Sequence, residues 1–409
     1  MLYLLILLHI YQPPTQDPKI TKKISQDSYR LILKILAETK GKITLNIPAS
    51  LSEQLITTGE EDVIRGIIDL VKRKQIELTA TSAYHALLPL LPESEILRQI
   101  TLNNYLNKKI LGEKIYCPDG LFPPELAYSN RLTRVLKQLK FQRLILSEFA
   151  YKRELGKVKH DVIYIKDNTK NVILGTRQLA GTPESDSGPA SPAGRQARMT
   201  KIPLQIFFRD DRLSNAVALS QVKTLSKFNN LIKSLYGEES KRDRYLIIAI
   251  DGETFGHHQV GQDKLLLDIL RYYKLQLITF SECGKYFHTK EEISPLICSW
   301  GSTLTDLRKK IYWPKWSYPG NPIHKLQWQL TRLALKLGKN SHGESRELLD
   351  KGLHSDQYWW ASHKPYWHPQ MVEKGAKLLL ESIKLNTKAS TTEKNDALSI
   401  YCDILKIIN

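Results

Sequence analysis

Two carboxylates, Glu125 and Asp251, stand where this chain is equipped to do chemistry. Glu125 lies in the proline-stiffened turn Phe122-Pro123-Pro124-Glu125, and Asp251 closes the apolar run Leu246-Ile247-Ile248-Ala249-Ile250. Two carboxyl groups facing one pocket are the minimum kit for breaking a glycosidic bond: one attacks or stabilises the oxocarbenium-like centre and the other protonates the leaving oxygen. Their surroundings must hold the two pKa values apart for the roles to differ at neutral pH. Each also has a plainer reading. A carboxylate just ahead of a helix, as Glu125 is ahead of the helical pattern over 126–139, favours the helix N-terminus. An Asp-Gly pair after a strand is a common turn.

Other polar residues end neighbouring apolar runs. His9, Tyr11 and Gln12 follow the first run, Glu77 opens the third, and Thr81-Ser82-Ala83-Tyr84-His85 follows it. Glu253, His257 and His258 come directly after Asp251. Near the C-terminus, Ser355-Asp356-Gln357-Tyr358-Trp359-Trp360 sets a carboxylate beside two tryptophans. Sugar rings stack on aromatic faces, so Trp359 and Trp360 are candidates to line subsites. Trp300, Trp313, Trp316 and Trp328 read instead as large side chains cementing helices to a core.

The elements that must position these residues are legible as alternation. Strand-like runs occur at 2–8, 43–47, 76–81, 114–117, 143–147, 162–165, 205–209, 245–251 and 276–280, with helical patterns between them at 25–38, 62–74, 126–139 and 262–273. Strands alternating with helices predict βαβ units and a parallel sheet. About seven such units in about 290 residues predict a barrel rather than an open sheet, with its site at the C-terminal ends of the strands. We therefore expect an α/β chain with a catalytic barrel over 1–290. A mainly helical region over 291–409 would complete the active site. All seven tryptophans fall in that second region, with helical patterns at 322–337 and 369–385. The Gly-, Pro- and Ser-rich stretch 181–200 predicts a flexible loop within the barrel, because it has too little apolar surface to offset its ordering entropy.

Composition narrows the class. The chain has 409 residues, 42% hydrophobic and 25% charged, as soluble globular proteins do. Its net charge of +18 is spread along helical stretches with no nucleic-acid-binding module, and reads as a solvated basic surface. Cys117, Cys283, Cys298 and Cys402 form no CxxC pair, so neither a zinc ribbon nor a redox dithiol is indicated. The opening run 2–8 lacks a basic flank and a cleavage site, is too short to span a bilayer, and reads as a buried strand of a parallel sheet. We expect a cytoplasmic protein with no membrane or nucleic-acid partner.

Five segments taken in order, His9-Ile10-Tyr11-Gln12-Pro13, Gln75-Ile76-Glu77, Phe122-Pro123-Pro124-Glu125, Asp251-Gly252-Glu253-Thr254-Phe255-Gly256 and Ser355-Asp356-Gln357-Tyr358-Trp359-Trp360, resemble the motifs of glycoside hydrolase family 57. The resemblance runs from residue 1 to about residue 385. It implies a distorted TIM-like (β/α)7 barrel followed by helices, and a retaining mechanism on α-glucans of the α-amylase or 4-α-glucanotransferase type. It assigns Glu125 as nucleophile and Asp251 as acid/base. His9, Asp356 and Trp359 would face the cleaved subsite, and Glu77 would be partly structural. Three departures bear on specificity: Tyr11 replaces a second histidine, Lys74 a glycine and Phe122 a tryptophan. No metal or organic cofactor is required by this chemistry. Two alternatives stay open: a metal-dependent deacetylase or α-mannosidase-like enzyme, for which no three ligands stand at recognisable spacing, and a non-catalytic glucan-binding barrel.

Overall fold

The first apolar run is the pivot of the molecule. The computed structural model describes residues 1–166, 203–237, 242–362 and 367–408. Among these residues the strands are β1 (Leu2–His9), β2 (Ile43–Asn46), β3 (Ile76–Thr79), β4 (Gly120–Leu121), β5 (Arg143–Ser147), β6 (Ile163–Lys166), β7 (Gln205–Arg209), β8 (Arg244–Asp251), β9 (Leu275–Leu277) and β10 (Lys290–Ile293). β1 pairs in parallel with β8 over its full length, from Leu2 against Arg244 to His9 against Asp251. Its other edge is divided: β2 takes the upper part and β9 the lower.

The ring closes through seven strands. β2 pairs with β3 in parallel, and a parallel bridge between Ala80 and Leu121 carries the sheet from β3 to β4. β4 pairs with β5 and β5 with β7, both in parallel. β7 then reaches β8 by the Asp210 N–H to the Ile247 carbonyl, 2.9 Å, and by the Arg209 Nε to the Ala249 carbonyl, 2.6 Å. The result is a (β/α)7 barrel, irregular at the last seam. β6 stands outside the ring, antiparallel to β7 and parallel to β10.

Period-two alternation decides what faces the axis. Tyr3, Leu5 and Leu7 of β1 gather with Tyr245, Ile247 and Ala249 of β8, Ile145 of β5 and Phe207 of β7 in one buried cluster inside the barrel. Leu4, Ile6, Leu8, Leu246, Ile248 and Ile250 point the other way into the helical layer. Burying each such side chain stabilises the fold by about 1.5–3 kcal/mol. A one-residue slip would turn every one of them to the wrong face, so the register is fixed. His9 and Asp251 continue the inward series at the C-terminal ends of their strands.

The C-terminal helices Pro322–Gly338, Gly343–Gly352, Asp356–Trp360, Pro369–Lys384 and Thr391–Ile408 lie against the barrel. One continuous core joins Leu132, Leu144 and Leu146 to Leu330, Leu349, Leu379, Ile383 and Ile404.

Several expected boundaries shift. The run 114–117 forms no strand. It turns back after the helix Glu93–Leu111, and the strand edge follows at β4. The pattern over 25–38 is a π-turn Ser25–Tyr29 followed by the helix Arg30–Ala37, and a further helix, Pro18–Ile24, precedes it. The pattern over 126–139 becomes helical only at Asn130–Gln138. The stretch 181–200 lies outside the described residues. No helix among the described residues is long and apolar enough to cross a membrane.

Candidate active site

Glu125 is held by an unusual backbone. Pro123 and Pro124 lead into a short 3-10 turn in which Glu125 takes φ 60°, ψ 18° and Leu126 φ 48°. Left-handed conformations of non-glycine residues cost of order 1–3 kcal/mol and persist only where the surroundings impose them. Here the segment before Trp300 imposes it. The Tyr128 N–H bonds the Cys298 carbonyl at 2.9 Å, and the Trp300 N–H bonds the Glu125 carbonyl at 3.2 Å. Glu125 is therefore not at the N-terminus of the following helix, which starts five residues later, and the helix-start reading falls away.

The strain aims the carboxylate. Its Oε2 accepts from the Trp300 indole N–H at 2.5 Å, and its Oε1 accepts from the Ser355 hydroxyl at 3.0 Å. Burial pushes the Glu125 carboxyl up to about 8, with Asp356 and Asp251 adding to the rise and Trp300 and Ser355 opposing it. Trp300, which the sequence reading assigned to packing, thus bonds the candidate nucleophile. Its ring also stands edge-on to Trp316 at 5.9 Å.

Asp251 ends β8 opposite His9 and is exposed at the barrel mouth. It is not a simple Asp-Gly turn. A Cβ at Gly252 would stand 2.5 Å from the Ile10 side chain, so the glycine lets β8 pass close against the exit of β1. Beyond it, Gly256 has φ +99° and a Cβ there would meet the Asp27 carbonyl at 2.1 Å. The π-turn supplies that carbonyl, and its Ser28 hydroxyl donates to the Gly252 carbonyl at 3.0 Å. π-turns occur often at functional sites.

A chain of polar side chains runs from Asn46 to Glu125. His9 Nδ1 meets Asn46 Oδ1 at 2.7 Å, and His9 Nε2 meets His85 Nε2 at 3.1 Å. His85 Nδ1 meets the Ser355 Oγ at 2.9 Å. Tyr11 stacks on His85 at 4.1 Å, and its hydroxyl donates to Asp356 at 2.5 Å. Burial lowers the His9 imidazole against the pull of Asp251, Asn46 and Asp356. It lowers His85 to about 3, with His9 and His354 adding and Asp356 opposing. Burial works to raise the Asp356 carboxyl, but His354, His85 and Tyr11 outweigh it and hold Asp356 below its ordinary range.

So Glu125, Asp251, His9, Tyr11 and Asp356 come together. Four expected substrate contacts are bonded instead to the surrounding elements. Glu253 is buried, accepting from the Tyr29 hydroxyl at 2.5 Å and the Tyr11 N–H at 3.0 Å, and burial pushes it up to about 7. Gln12 is buried beside it, its amide N–H on Tyr29 at 3.3 Å. Glu77 sits two residues short of the end of β3 and accepts from the Ser281 N–H at 3.1 Å, fastening the turn beyond β9. His257 pairs with Asp27 at 3.1 Å. These four hold the loops that hold the site. Trp359 and Trp360 are half-buried and stand edge-on to each other at 4.5 Å, Trp359 against the cluster of Leu87, Trp316 and Trp328.

Asn46 was not singled out by the sequence, and His85, Ser355 and His258, whose imidazole feels the charge of Asp251, were named there without a role in the site, as Trp300 was named only for packing. Asn46 interrupts the apolar run 43–47 with a polar residue, which is the signal that could have found it. Among the described residues, no three His, Cys, Asp or Glu side chains converge to hold a metal ion. An open cavity of about 890 Å³ lined by Arg131, Tyr318, Lys325, Trp328 and Arg332 lies apart from these residues.

The family model for glycosyl hydrolase family 57 matches residues 8–294. The chain belongs to this family. As a family 57 glycosyl hydrolase it is 26% identical, over 145 residues, to an α-amylase of Pyrococcus horikoshii. That match takes in 35% of this chain and 22% of the relative, so the chain aligns with about a fifth of that amylase's length. Among solved structures, the 4-α-glucanotransferase of Thermococcus litoralis superposes with TM-score 0.64 at 16% identity, over 93% of this chain and 58% of that one. The family 57-type branching enzyme of Pyrococcus horikoshii superposes with TM-score 0.60 at 17% identity, over 100% and 96%. At these identities the likeness is one of fold.

Proposed function

We propose that this family 57 protein is a retaining α-glucan hydrolase or transglycosidase, with Glu125 as nucleophile and Asp251 as acid/base. The observation that carries the reading is the meeting of Glu125, fixed by Trp300 and Ser355, with the end of β8, where Asp251 stands opposite His9 in register. The α-amylase, glucanotransferase and branching enzyme named above support α-glucan as the substrate class. Asp251 protonates the glycosidic oxygen while Glu125 attacks the anomeric carbon, forming a glycosyl-enzyme. Asp251 then takes the proton of the incoming water or sugar hydroxyl.

The test is incubation of the purified protein and its Glu125→Gln variant with maltoheptaose, resolving products by chain length. Shorter products alone indicate hydrolysis, and a ladder of longer and shorter products indicates transfer. The variant should lose activity by several orders of magnitude, on the order of 10⁴-fold or more, with its circular dichroism unchanged. Near-normal turnover in the variant would sink the assignment.

A further inference from the structure

In the polar chain from Asn46 to Glu125, full hydrogen bonding ties the charge of Glu125 to that of the His9–His85 pair. The Asn46 amide N–H groups face the Thr79 carbonyl at 3.2 Å, the Thr79 hydroxyl at 3.0 Å and the Ala80 carbonyl at 3.1 Å. Turning the amide over would set its oxygen against two carbonyls. Its oxygen therefore faces His9, and His9 Nδ1 must donate. If His9 is neutral, its Nε2 accepts, so His85 Nε2 donates and His85 Nδ1 accepts from the Ser355 hydroxyl. That spends the only hydrogen of Ser355, and the contact to Glu125 Oε1 is satisfied only if Glu125 is protonated and donates. If Glu125 is ionised, Ser355 donates to it and His85 Nδ1 donates to Ser355. The proton then sits on the His9–His85 pair, either on His9 donating through both nitrogens to His85 Nε2 or on His85 donating through both of its own; burial, His9 and His354 oppose a cation on His85, whereas Asp251 and Asp356 pull for one on His9.

We propose that Ser355 and His85 link Glu125 to His9 so that nucleophile and imidazole share one proton, Glu125 ionising as His9 takes the proton up. This rests on Glu125 being the nucleophile. The transfer balances: Glu125 Oε1–H passes to Ser355 Oγ, the Ser355 hydrogen to His85 Nδ1, and the His85 Nε2 hydrogen to His9 Nε2. The groups facing the chain pull both ways, since burial, Asp356 and Asp251 oppose the ionised Glu125. Asp251 from β8 and Asp356 from the C-terminal helix stabilise a cation on His9. Against it work the burial of His9 and any cation on the neighbouring His85, which repels one on His9. Tyr11 stacks on His85 and keeps its proton, since burial and Asp356 hold its hydroxyl well above its ordinary range.

The link is built across the two halves of the molecule. His85 takes φ 55°, its carbonyl accepts the Ser355 N–H at 3.0 Å, and Ala86 bridges His354 in antiparallel fashion. The strained residue of the barrel is thus clamped to the segment that carries Ser355. Ser355 and His85 are positioning residues, and they act through the charge of Glu125.

The test is the pH profile of kcat/KM on maltoheptaose, which reports the free enzyme. The wild-type acid limb is expected near the value of about 8 to which burial pushes Glu125. In His85→Asn the side chain tolerates left-handed backbone, can still donate to Ser355, and is too short to reach His9. Ionising Glu125 then no longer demands a charged imidazole, and the acid limb should fall by about one pH unit or more. In Ser355→Ala the ionised carboxylate loses a donor, and the limb should move to higher pH. Opposite shifts support the link. If both variants lose activity by the same factor at every pH, with the limb unmoved, the proposal is overturned. The function stands or falls separately, on whether the wild type cleaves and Glu125→Gln does not.

Discussion

A carboxylate proposed to attack carbon has to be ionised when it does so, yet Glu125 lies in surroundings that favour its neutral form. Its side chain is 13% exposed, and the carboxyl is pushed up to about 8 by burial. Two donors, Trp300 and Ser355, partly compensate, and a developing positive charge on a bound sugar would do the rest. The same arrangement costs stability. The unfolded chain loses this proton near the ordinary value of 4.5, whereas the folded chain keeps it to about 8. The folded state binds more protons throughout that window, so this group makes stability fall as pH rises from 4.5 to 8. Glu125→Gln cannot titrate and keeps a neutral side chain of the same shape. Its Tm should therefore gain on the wild type as pH rises, by about 2 °C or more between pH 5 and pH 8 in thermal melts. A Tm difference that stays constant across that range would show that Glu125 is ionised in the free enzyme.

Elements place these residues, and one seam among them has few backbone bonds. β7 and β8 are joined by the Asp210 N–H to the Ile247 carbonyl and by Arg209. Its Nε donates to the Ala249 carbonyl at 2.6 Å, and its guanidinium pairs with Asp211 and donates to Asn215 at 2.8 Å. Asp211 in turn accepts from the Ser147 hydroxyl on β5 at 2.5 Å. Removing one partner of a buried pair leaves the other charge uncompensated, at about 3–5 kcal/mol. Arg209→Ala should lower the urea midpoint accordingly and reduce turnover, because β8 carries Asp251. An unchanged midpoint would mean that the seam is held elsewhere. Arg209 also shows where the sequence was silent. The apolar runs of β1, β5, β7 and β8 are legible, since their side chains must be buried on both faces. The inward positions of His9 and Asp251 follow from period two. What helps close the ring is a charged side chain at a strand end, which no hydrophobic pattern predicts. β4, at two residues, is too short to leave a pattern, so the neighbouring run 114–117 drew the expectation instead. The left-handed turn at Glu125 and the π-turn at 25–29 are imposed by tertiary contacts, and their residues carry no local signal for them.

At the scale of the whole molecule, the barrel and the C-terminal helices share both a core and a site. Leu132, Leu144 and Leu146 pack with Leu330, Leu349 and Leu379, so a barrel cut free of its helices would expose a continuous apolar face. The site is divided in the same way. Trp300, Ser355 and Asp356 come from beyond the last residue matched by the family model, and they hold Glu125 and Tyr11. Alternation of apolar runs made the barrel legible, but this dependence was not, because helices that pad a barrel and helices that complete its site bear the same amphipathic pattern. A chain truncated after residue 294 should therefore fail twice. It loses apolar burial at about 25 cal/mol per Å² over a large face, and Glu125 loses both side-chain donors and the clamp that imposes its left-handed turn. We expect the fragment to bind a hydrophobic dye, to lose near-ultraviolet circular dichroism and to leave maltoheptaose uncut, and residues 295–409 supplied as a second chain should restore part of each signal. A soluble fragment 1–294 with native dichroism and no cleavage would separate the two roles, leaving the helices as site residues only. Cleavage by that fragment at the full-length rate would show that Glu125 is held by the barrel alone.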